Sequence, residues 1–275
     1  MSAGAGLRGP LVLVGCGRMG GAMLRGWLDR GLPRAEALIV EPDPERAAAA
    51  RELGVEVVAA PDGIAARFAP RVVVVAVKPQ AMATVLPAYA RFAAPETVFL
   101  SIAAGTTIAA FESHLGPAAI VRAMPNTPAA IGRGMLVGCA NARVTRAQRG
   151  LCEALMAAVG EVAWIEDEDL MDAVTAVSGS GPAYVFLLIE CLARAGVAAG
   201  LPAALANRLA LVTVSGAGEL ARVSGEPAER LRENVTSPGG TTAAALAVLM
   251  ADGGLADLMT EAVAAATRRG RELAG

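Results

Sequence analysis

The sequence predicts an α/β fold in which a doubly wound sheet is followed by an all-helical domain. An apolar run at Leu11–Val14 leads directly into a glycine-rich turn and a helix-like segment. Apolar runs and helix-like segments then alternate as far as Trp164, as a doubly wound sheet requires. From Glu168 onward no convincing strand is recognised, and helical periods rich in Ala, Leu and Val fill the chain.

The glycine-rich turn is the first element with a chemical meaning. It consists of Gly15, Cys16, Gly17, Arg18, Met19 and Gly20. This is the G-x-G-x-x-G fingerprint of a Rossmann dinucleotide-binding domain, and it lies between a strand and a helix as expected. The first glycine permits the tight turn, the second lets the pyrophosphate approach the main chain, and the third allows close packing of helix on strand. The next apolar run ends at Glu41, about 20 residues later, where the fingerprint expects its ribose-binding acid.

The other elements of the first half follow in order. Pro44 suits the first turn of a helix, and the β-branched run at 71–77 is typical of a buried parallel strand. The predicted strands are 11–14, 37–40, 55–58, 71–77, 97–102 and 120–123, and the predicted helices are 21–30, 44–53 and 82–92.

Three polar residues follow strands of this predicted sheet. Ligands of open α/β sheets bind beyond the carboxyl ends of the strands, so Lys78, Ser101 and Asn126 are expected to face the cofactor crevice. Two alternatives stay open. Lys78 either lies near the nicotinamide or merely ends its strand, and Asn126 either contacts the cofactor or shapes its own turn.

The second half is expected to form an interface between copies of the chain. Its helices are apolar on most faces and must therefore be buried, yet about 110 residues of such helices enclose themselves poorly. We therefore predict a dinucleotide-binding Rossmann domain at residues 1–165 and a helical substrate-binding and dimerisation domain at residues 166–275. The acidic run at 166–169 is expected to be a solvated helix start. The small-residue segment Ser178-Gly179-Ser180-Gly181 either approaches the nicotinamide or relieves a helix kink.

A turn near the C-terminus predicts a binding site for a small anion. Pro238 is followed by Gly239, Gly240, Thr241 and Thr242, and then by an apolar run. The glycines let the backbone approach a ligand, and the start of a helix offers N–H donors and a positive dipole end. The alternative is an ordinary helix connection capped by Thr241 or Thr242.

Composition narrows the class of protein. The formal net charge of −2 and the lack of a Lys/Arg run argue against nucleic acid as a partner. The long uncharged stretches are broken by glycine and proline, so membrane spans are not expected. A single arginine before a short apolar run does not resemble a signal peptide, and a cytoplasmic protein is expected. The four cysteines form no C-x-x-C pair and there is one histidine, so neither disulfides nor a metal site is expected.

Six motifs together give the chain a specific resemblance, in the expected order from about Gly9 to Ala274. They are Gly15-Cys16-Gly17-Arg18-Met19-Gly20, Ala76-Val77-Lys78-Pro79-Gln80, Ser101-Ile102-Ala103-Ala104-Gly105, Met124-Pro125-Asn126-Thr127-Pro128, Ser178-Gly179-Ser180-Gly181-Pro182 and Val235-Thr236-Ser237-Pro238-Gly239-Gly240-Thr241-Thr242. This set resembles pyrroline-5-carboxylate reductase, the last enzyme of proline biosynthesis. The resemblance implies reduction of the cyclic imine 1-pyrroline-5-carboxylate to L-proline by NADH or NADPH. It also implies a homodimer whose two protomers contribute to each active site, and such dimers often assemble further into decamers.

The resemblance also implies roles for individual residues. Thr242 occupies the position of the hydroxyl that hydrogen-bonds the imine nitrogen, and Gly240 and Thr241 would present backbone N–H groups to the substrate carboxylate. Together with Glu41, the cofactor-binding residues that it implies are Gly15, Cys16, Gly17, Arg18, Met19, Gly20, Val77, Lys78, Pro79, Ala103 and Asn126. The substrate-binding residues that it implies are Val235, Ser237, Gly239, Gly240, Thr241 and Thr242.

The residue inventory supports an imine substrate independently. Lys78 and His114 are the only lysine and histidine, so a carbonyl reductase would need an unusual proton donor for its alkoxide. An imine nitrogen can be protonated before hydride arrives, and the enzyme then needs mainly to orient the ring.

Two rival functions fit the layout less well. A hydroxyacid dehydrogenase typically uses a lysine after a Ser/Gly motif, but residues 184–194 contain none. A non-catalytic dinucleotide sensor would not need the second anion site at Pro238–Thr242.

The acidic segment at 41–45 departs from the usual pattern of the family. Members that favour NADPH tend to have small or polar residues there, whereas a carboxylate at Glu41 accepts a hydrogen bond from the ribose 2′-OH and repels a 2′-phosphate. Arg46 would compensate in part. The sequence therefore predicts a preference for NADH.

Overall fold

The computed structural model describes residues 7–274, and these divide into two compact units. One unit comprises residues 7–179 with 267–274, and the other comprises Ser180–Ala266. The domains predicted from the sequence, residues 1–165 and 166–275, were divided where the strand pattern ends. This domain boundary stays a prediction.

The first unit is built on one eight-stranded sheet. Its strands are β1 (Leu11–Val14), β2 (Ala37–Val40), β3 (Glu56–Val58), β4 (Val72–Val75), β5 (Val98–Ser101), β6 (Ala119–Met124), β7 (Gly134–Ala140) and β8 (Gly160–Trp164). Their order across the sheet is β3-β2-β1-β4-β5-β6-β7-β8, and every pair is parallel except β6 with β7. The first six strands have the Rossmann order, in which the chain reverses direction across the sheet at β1. The predicted doubly wound sheet is confirmed.

Eleven α-helices accompany these strands in the described residues. Those of the first unit are α1 (Arg18–Asp29), α2 (Pro44–Glu52), α3 (Met82–Val85), α4 (Ile108–Leu115), α5 (Arg146–Ala157) and α6 (Met171–Val174). The others are α7 (Gly181–Ala198), α8 (Ala203–Ser224), α9 (Ala228–Asn234), α10 (Thr241–Leu249) and α11 (Leu255–Ala274), the last of which ends in the first unit. No strand occurs after Trp164 in the described part of the chain, as predicted.

Alternate strand residues supply two apolar layers, one on each face of the sheet. On one face, Leu11 and Leu13 pack with Trp27 of α1 and Leu155 of α5, and the Trp27 indole N–H donates to the Leu155 carbonyl at 2.9 Å. On the other face, Val12 and Val14 belong to a cluster with Met82, Leu86, Tyr89, Phe92 and Phe111. Burial on both faces explains why these strands are continuous apolar runs.

The structure corrects the element prediction in two places. Strands β7 and β8 were not predicted, and their glycines explain why. A side chain at Gly138 would collide with the Trp164 ring, and one at Gly160 would collide with Gly134. These glycines therefore allow the strands to pack closely, although glycine within a sequence usually argues against a strand. The predicted helix 82–92 is α-helical only as far as Val85. Residues Leu86–Phe92 form a 3₁₀-helix that includes Pro87, which lacks an N–H donor.

The second unit packs its helices through small residues and leaves large ones outside. Helices α7 and α8 lie against each other, with Ala193, Ala206 and Ala210 buried and Gly196 close to Ala206. The same two helices expose a series of large apolar side chains, among them Val185, Phe186, Leu187, Leu188, Leu209, Leu211 and Val212. By length and composition alone, the helical stretch Glu168–Ala198 would be able to cross a membrane.

Candidate active site

The glycine turn after β1 has the geometry that a dinucleotide requires. Gly15 has a φ of +89°, and a side chain at Gly20 would collide with the Gly15 carbonyl, so both positions need glycine. A side chain at Gly17 would meet nothing within 4 Å, which leaves open space beside the backbone at the N-cap of α1. The N–H groups of a helix start are suited to a pyrophosphate placed there.

A cavity of about 990 Å³ lies beyond the carboxyl ends of β1, β2, β3 and β4. This is the position that the strand-order reversal at β1 predicts for a ligand. The predicted cofactor residues that line it are Gly15, Gly17, Arg18, Met19, Glu41, Val77 and Lys78. Arg46, Ala59, Pro61, Val85 and Tyr89 also line it. Cys16, Gly20, Pro79, Ala103 and Asn126 are not among the described residues of its wall.

Glu41 connects the end of β2 with the glycine turn. Its side chain is only 3% exposed, and its carboxylate accepts the Cys16 N–H at 2.7 Å and the Asp43 N–H at 3.0 Å. Because each carboxylate oxygen has a second lone pair, Glu41 retains the capacity to accept a hydrogen bond from a ligand in the cavity. It therefore stabilises the turn as well as lining the cavity, which the sequence did not predict.

Basic side chains also line the cavity. Arg18 and Lys78 are exposed, and the Arg46 Nε lies 4.0 Å from Asp43 Oδ1. An anionic ligand in the cavity therefore meets both the buried Glu41 carboxylate and the exposed positive charges.

The Cys16 thiol is not activated. Burial raises its pKa, and the nearby Glu41 carboxylate raises it further, whereas Arg25 and Arg46 lower it. Since the thiolate is the nucleophilic form, this environment disfavours covalent chemistry at Cys16. Among the described residues there is also no cluster of His, Cys, Asp and Glu able to hold a metal ion.

Asn126 joins two of the sequence motifs. Its Nδ2 group donates to the Ser178 carbonyl at 3.2 Å and to the Ser178 hydroxyl at 3.3 Å, and its Oδ1 accepts the Met135 N–H at 2.9 Å. Met124 lies against Gly179, where a side chain would collide with it. These contacts favour the alternative in which Asn126 shapes its own loop, and a cofactor contact stays a prediction.

The segment Thr175–Gly179 is a π-helical turn directly before α7. Such turns are frequent at functional sites. Ser178 and Gly179 lie within this irregular turn, which favours the alternative of a helix kink, and an approach of these residues to the nicotinamide stays a prediction.

The end of β5 is enclosed by protein. Ser101 and Ala103 are buried, and the Ala103 N–H donates to the Ser101 hydroxyl at 3.3 Å.

Three of the four residues of the acidic run at 166–169 are exposed, and Asp167 caps a 3₁₀-helix at Glu168–Leu170, as predicted for a solvated helix start, but Glu168 differs. Glu168 Oε1 lies 2.7 Å from Arg122 Nη1 in β6, whose side chain is 5% exposed, and it accepts the Ile108 N–H at the start of α4 at 2.9 Å. This ion pair was not predictable from the sequence, because Arg122 lies within an otherwise apolar strand.

The Pro238–Thr242 turn lies in the helical unit and has the predicted form. Gly239 has a φ of +69°, and α10 begins at Thr241 with Gly240 as its N-cap. The alternative in which Thr241 or Thr242 caps the helix is therefore wrong. The Gly240 N–H donates to the Ser237 carbonyl at 3.1 Å, so this predicted substrate donor is already used within the turn. The N–H groups of Thr241, Thr242 and Ala243 belong to the first helical turn, which leaves them without intrahelical acceptors. Val235 and Ser237 are exposed beside them.

Two family models match the chain. The model described as pyrroline-5-carboxylate reductase dimerisation matches residues 168–273, and the model described as NADP oxidoreductase, coenzyme F420-dependent, matches residues 10–105. The second match covers the glycine turn and Glu41. The first covers the π-helical turn and the Pro238–Thr242 segment.

Similar proteins extend over nearly the whole chain. The pyrroline-5-carboxylate reductase of Pseudomonas aeruginosa is 44% identical, with 96% of both chains covered. The solved structure of a pyrroline-5-carboxylate reductase from Coxiella burnetii has a TM-score of 0.90 at 34% identity, covering 96% of this chain and 98% of that one. The Plasmodium falciparum pyrroline carboxylate reductase, solved with NADP bound, has a TM-score of 0.81 at 29% identity, with coverage of 96% and 98%. By sequence, fold and site geometry together, the chain belongs to the pyrroline-5-carboxylate reductase family.

Proposed function

We infer that the chain reduces 1-pyrroline-5-carboxylate to L-proline with NAD(P)H, the last step of proline biosynthesis. The observation that carries this inference is the combination of an intact dinucleotide cavity with an intact Pro238–Thr242 turn in a chain 44% identical to a pyrroline-5-carboxylate reductase. The substrate is a small molecule, and the chain is an oxidoreductase that acts on a C=N bond.

The cavity of the first unit holds the cofactor. The open backbone at Gly17 and the start of α1 receive the pyrophosphate, and the other predicted cofactor residues lie around it. When bound, the nicotinamide supplies a hydride to the imine carbon. No metal is needed, because the imine nitrogen can take up a proton from solvent as the hydride is delivered.

The α10 turn holds the substrate. The first N–H groups of the helix receive the carboxylate, and the Thr242 hydroxyl hydrogen-bonds the ring nitrogen. The hydroxyl donates to the neutral imine nitrogen, and this bond strengthens as the nitrogen gains electron density during hydride addition and takes up a proton, so it stabilises the transition state more than the ground state. Val235, Ser237, Gly239, Gly240 and Thr241 shape the surroundings of the ring.

The buried carboxylate of Glu41 supports a preference for NADH over NADPH. A 2′-phosphate placed beside it would lie close to a carboxylate that is shielded from solvent, and repulsion of this kind is worth about a few kcal/mol. The exposed Arg18 and Arg46 reduce this penalty, so NADPH remains a usable cofactor.

The helical part, residues 166–275, forms a homodimer. Its exposed apolar residues on α7 and α8 then pack against a second copy, which also accounts for the apolar stretch Glu168–Ala198 without a membrane. Both protomers contribute to each site, five dimers form a decamer, and the enzyme acts in the cytoplasm.

Oxidation of NADH after addition of 1-pyrroline-5-carboxylate tests this function. The expected result is oxidation of NADH with formation of proline. Oxidation by a 2-oxo acid but not by the imine would favour a hydroxyacid dehydrogenase. Tight binding of NADH without oxidation by either substrate would favour a sensor.

A further inference from the structure

Tyr89 is the buried polar residue of the cofactor cavity that the proposed reaction does not use. It lies in the 3₁₀-helix Leu86–Phe92, is 1% exposed, and contributes to the cavity wall. Its hydroxyl is shielded from solvent and finds no hydrogen-bond partner among residues 7–274. A buried hydroxyl without a partner is unfavourable and uncommon in folded proteins, so it indicates a bond made in another state.

Tyr89 belongs to the adenosine end of the cavity. The pyrophosphate position at Gly17 follows β1, and β2 and β3 lie on one side of β1 while β5 and β6 lie on the other. In a Rossmann sheet the acid after β2 belongs to the adenosine ribose, so the wall beyond β2 and β3 receives the adenine. Ala59 and Pro61 follow β3 in this wall, and Val85 and Tyr89 face the same cavity from the helix after β4.

The wall around Tyr89 is fixed in place and mostly apolar. The Arg91 guanidinium donates to the Pro61 carbonyl at 2.8 Å and to the Ile64 carbonyl at 3.3 Å, which joins the 3₁₀-helix to the turn after β3. Alanine, proline and valine side chains suit the faces of a flat heterocycle but cannot hydrogen-bond its edge. Ligand sites of this kind use a few polar groups to set orientation.

The chemistry of a phenol suits the edge of adenine. Burial raises the pKa of Tyr89, so its hydroxyl is neutral at physiological pH and can both donate and accept. The adenine edge carries ring-nitrogen acceptors and an exocyclic amino donor, either of which can bond to it.

We propose that the Tyr89 hydroxyl hydrogen-bonds the edge of the adenine ring and is the base-recognising residue of the cofactor cavity. Because the hydroxyl is shielded in the present structure, this bond requires a small movement of the Tyr89 side chain within the wall when the base enters. The proposal rests on the proposed function, since it assigns the bound molecule as an adenine dinucleotide.

Titration calorimetry of the full-length protein with NADH and with ADP tests the proposal on Tyr89→Phe. The dissociation constants for both ligands are expected to rise about 3- to 10-fold, as for the loss of one hydrogen bond. The unfolding temperature of the ligand-free variant is expected to equal or exceed that of the wild type, since the substitution removes an unpartnered hydroxyl.

Ser113→Ala is the matched control, because it removes a hydroxyl from the exposed face of α4 outside the cavity wall. Its dissociation constants should equal those of the wild type. A Tyr89→Phe protein that binds NADH and ADP as the wild type does would overturn the role of Tyr89. Weaker binding of NADH but not of ADP would overturn the adenine assignment. Failure of the wild type to bind either ligand would instead overturn the proposed function.

Discussion

Thr242 occupies the second position of α10, two residues after the N-cap Gly240. Because the N-cap position belongs to Gly240, helix capping does not explain a hydroxyl at Thr242. Thr242 is half-buried, and Val235 and Ser237 of the preceding turn are exposed. A hydroxyl in this position is suited to hydrogen-bonding a ligand. We therefore propose that Thr242 acts in the reaction rather than in stabilising the helix.

Thr242→Ala is expected to lower kcat by about 10- to 1,000-fold and to change the KM for the imine less, because the lost hydrogen bond is strongest in the transition state. Thr242→Ser, which retains a hydroxyl, should recover much of the activity. Steady-state kinetics of both variants checks this. Wild-type kcat in the alanine variant would remove Thr242 from the mechanism.

Glu41 supports the glycine turn, and we propose that it also controls the choice between NADH and NADPH. Glu41→Ser is expected to raise the ratio of kcat/KM for NADPH to that for NADH by about tenfold, equal to ~1.4 kcal/mol, since charge repulsion and the ribose hydrogen bond disappear together. Glu41→Gln is the control, because it removes the charge and keeps an acceptor for the Cys16 N–H. Steady-state kinetics of each variant with NADH and with NADPH measures this ratio. A wild-type enzyme that clearly prefers NADPH would show that Arg46 or another basic group, rather than Glu41, controls the 2′ position.

At the scale of elements, the pair formed by Glu168 and Arg122 joins three segments of the first unit. Glu168 Oε1 bonds both the β6 arginine and the first turn of α4. Removing one partner of a largely buried pair leaves an uncompensated charge.

Glu168→Ala is therefore expected to lower the free energy of unfolding by about 3 kcal/mol. Glu166→Ala is the comparison, because its partner Arg149 and its own side chain are both exposed, and such pairs contribute about 0–1 kcal/mol. Urea denaturation of both variants measures the difference. Equal losses would mean that the Arg122 charge is solvated when Glu168 is absent.

The elements show where prediction from sequence works and where it stops. Strands β1, β2 and β4 were predictable because each is a short continuous apolar run, which is typical of a parallel strand buried on both faces. Strands β7 and β8 were not, since their glycines are explained only by the Trp164 ring and by Gly134 of a neighbouring strand. The glycine turn and Glu41 were predictable from spacing, whereas Tyr89 and the Glu168 pair depend on contacts between residues far apart in sequence.

At the scale of the whole molecule, the helical unit exposes many large apolar side chains. Leu211 and Val212 of α8 are 54% and 60% exposed, and Val248 of α10 is 73% exposed. Side chains of this kind are expected to be covered by another copy of the chain.

The protein is accordingly expected to be at least a dimer at micromolar concentration, and dilution should lower activity as protomers separate. A fragment that ends near Trp164 should bind cofactor without turnover. Light scattering combined with activity measurement checks the assembly. An active monomer at nanomolar concentration would refute a site shared between protomers.

Transfer of label from cofactor to product tests the central claim most directly. NADH with deuterium at both C4 positions of the nicotinamide is incubated with the protein and 1-pyrroline-5-carboxylate, and the proline is analysed by mass spectrometry. The account predicts one deuterium per proline, at the carbon that was the imine carbon, with one NADH oxidised for each proline formed. Bound but unoxidised NADH, or proline without deuterium, would contradict it.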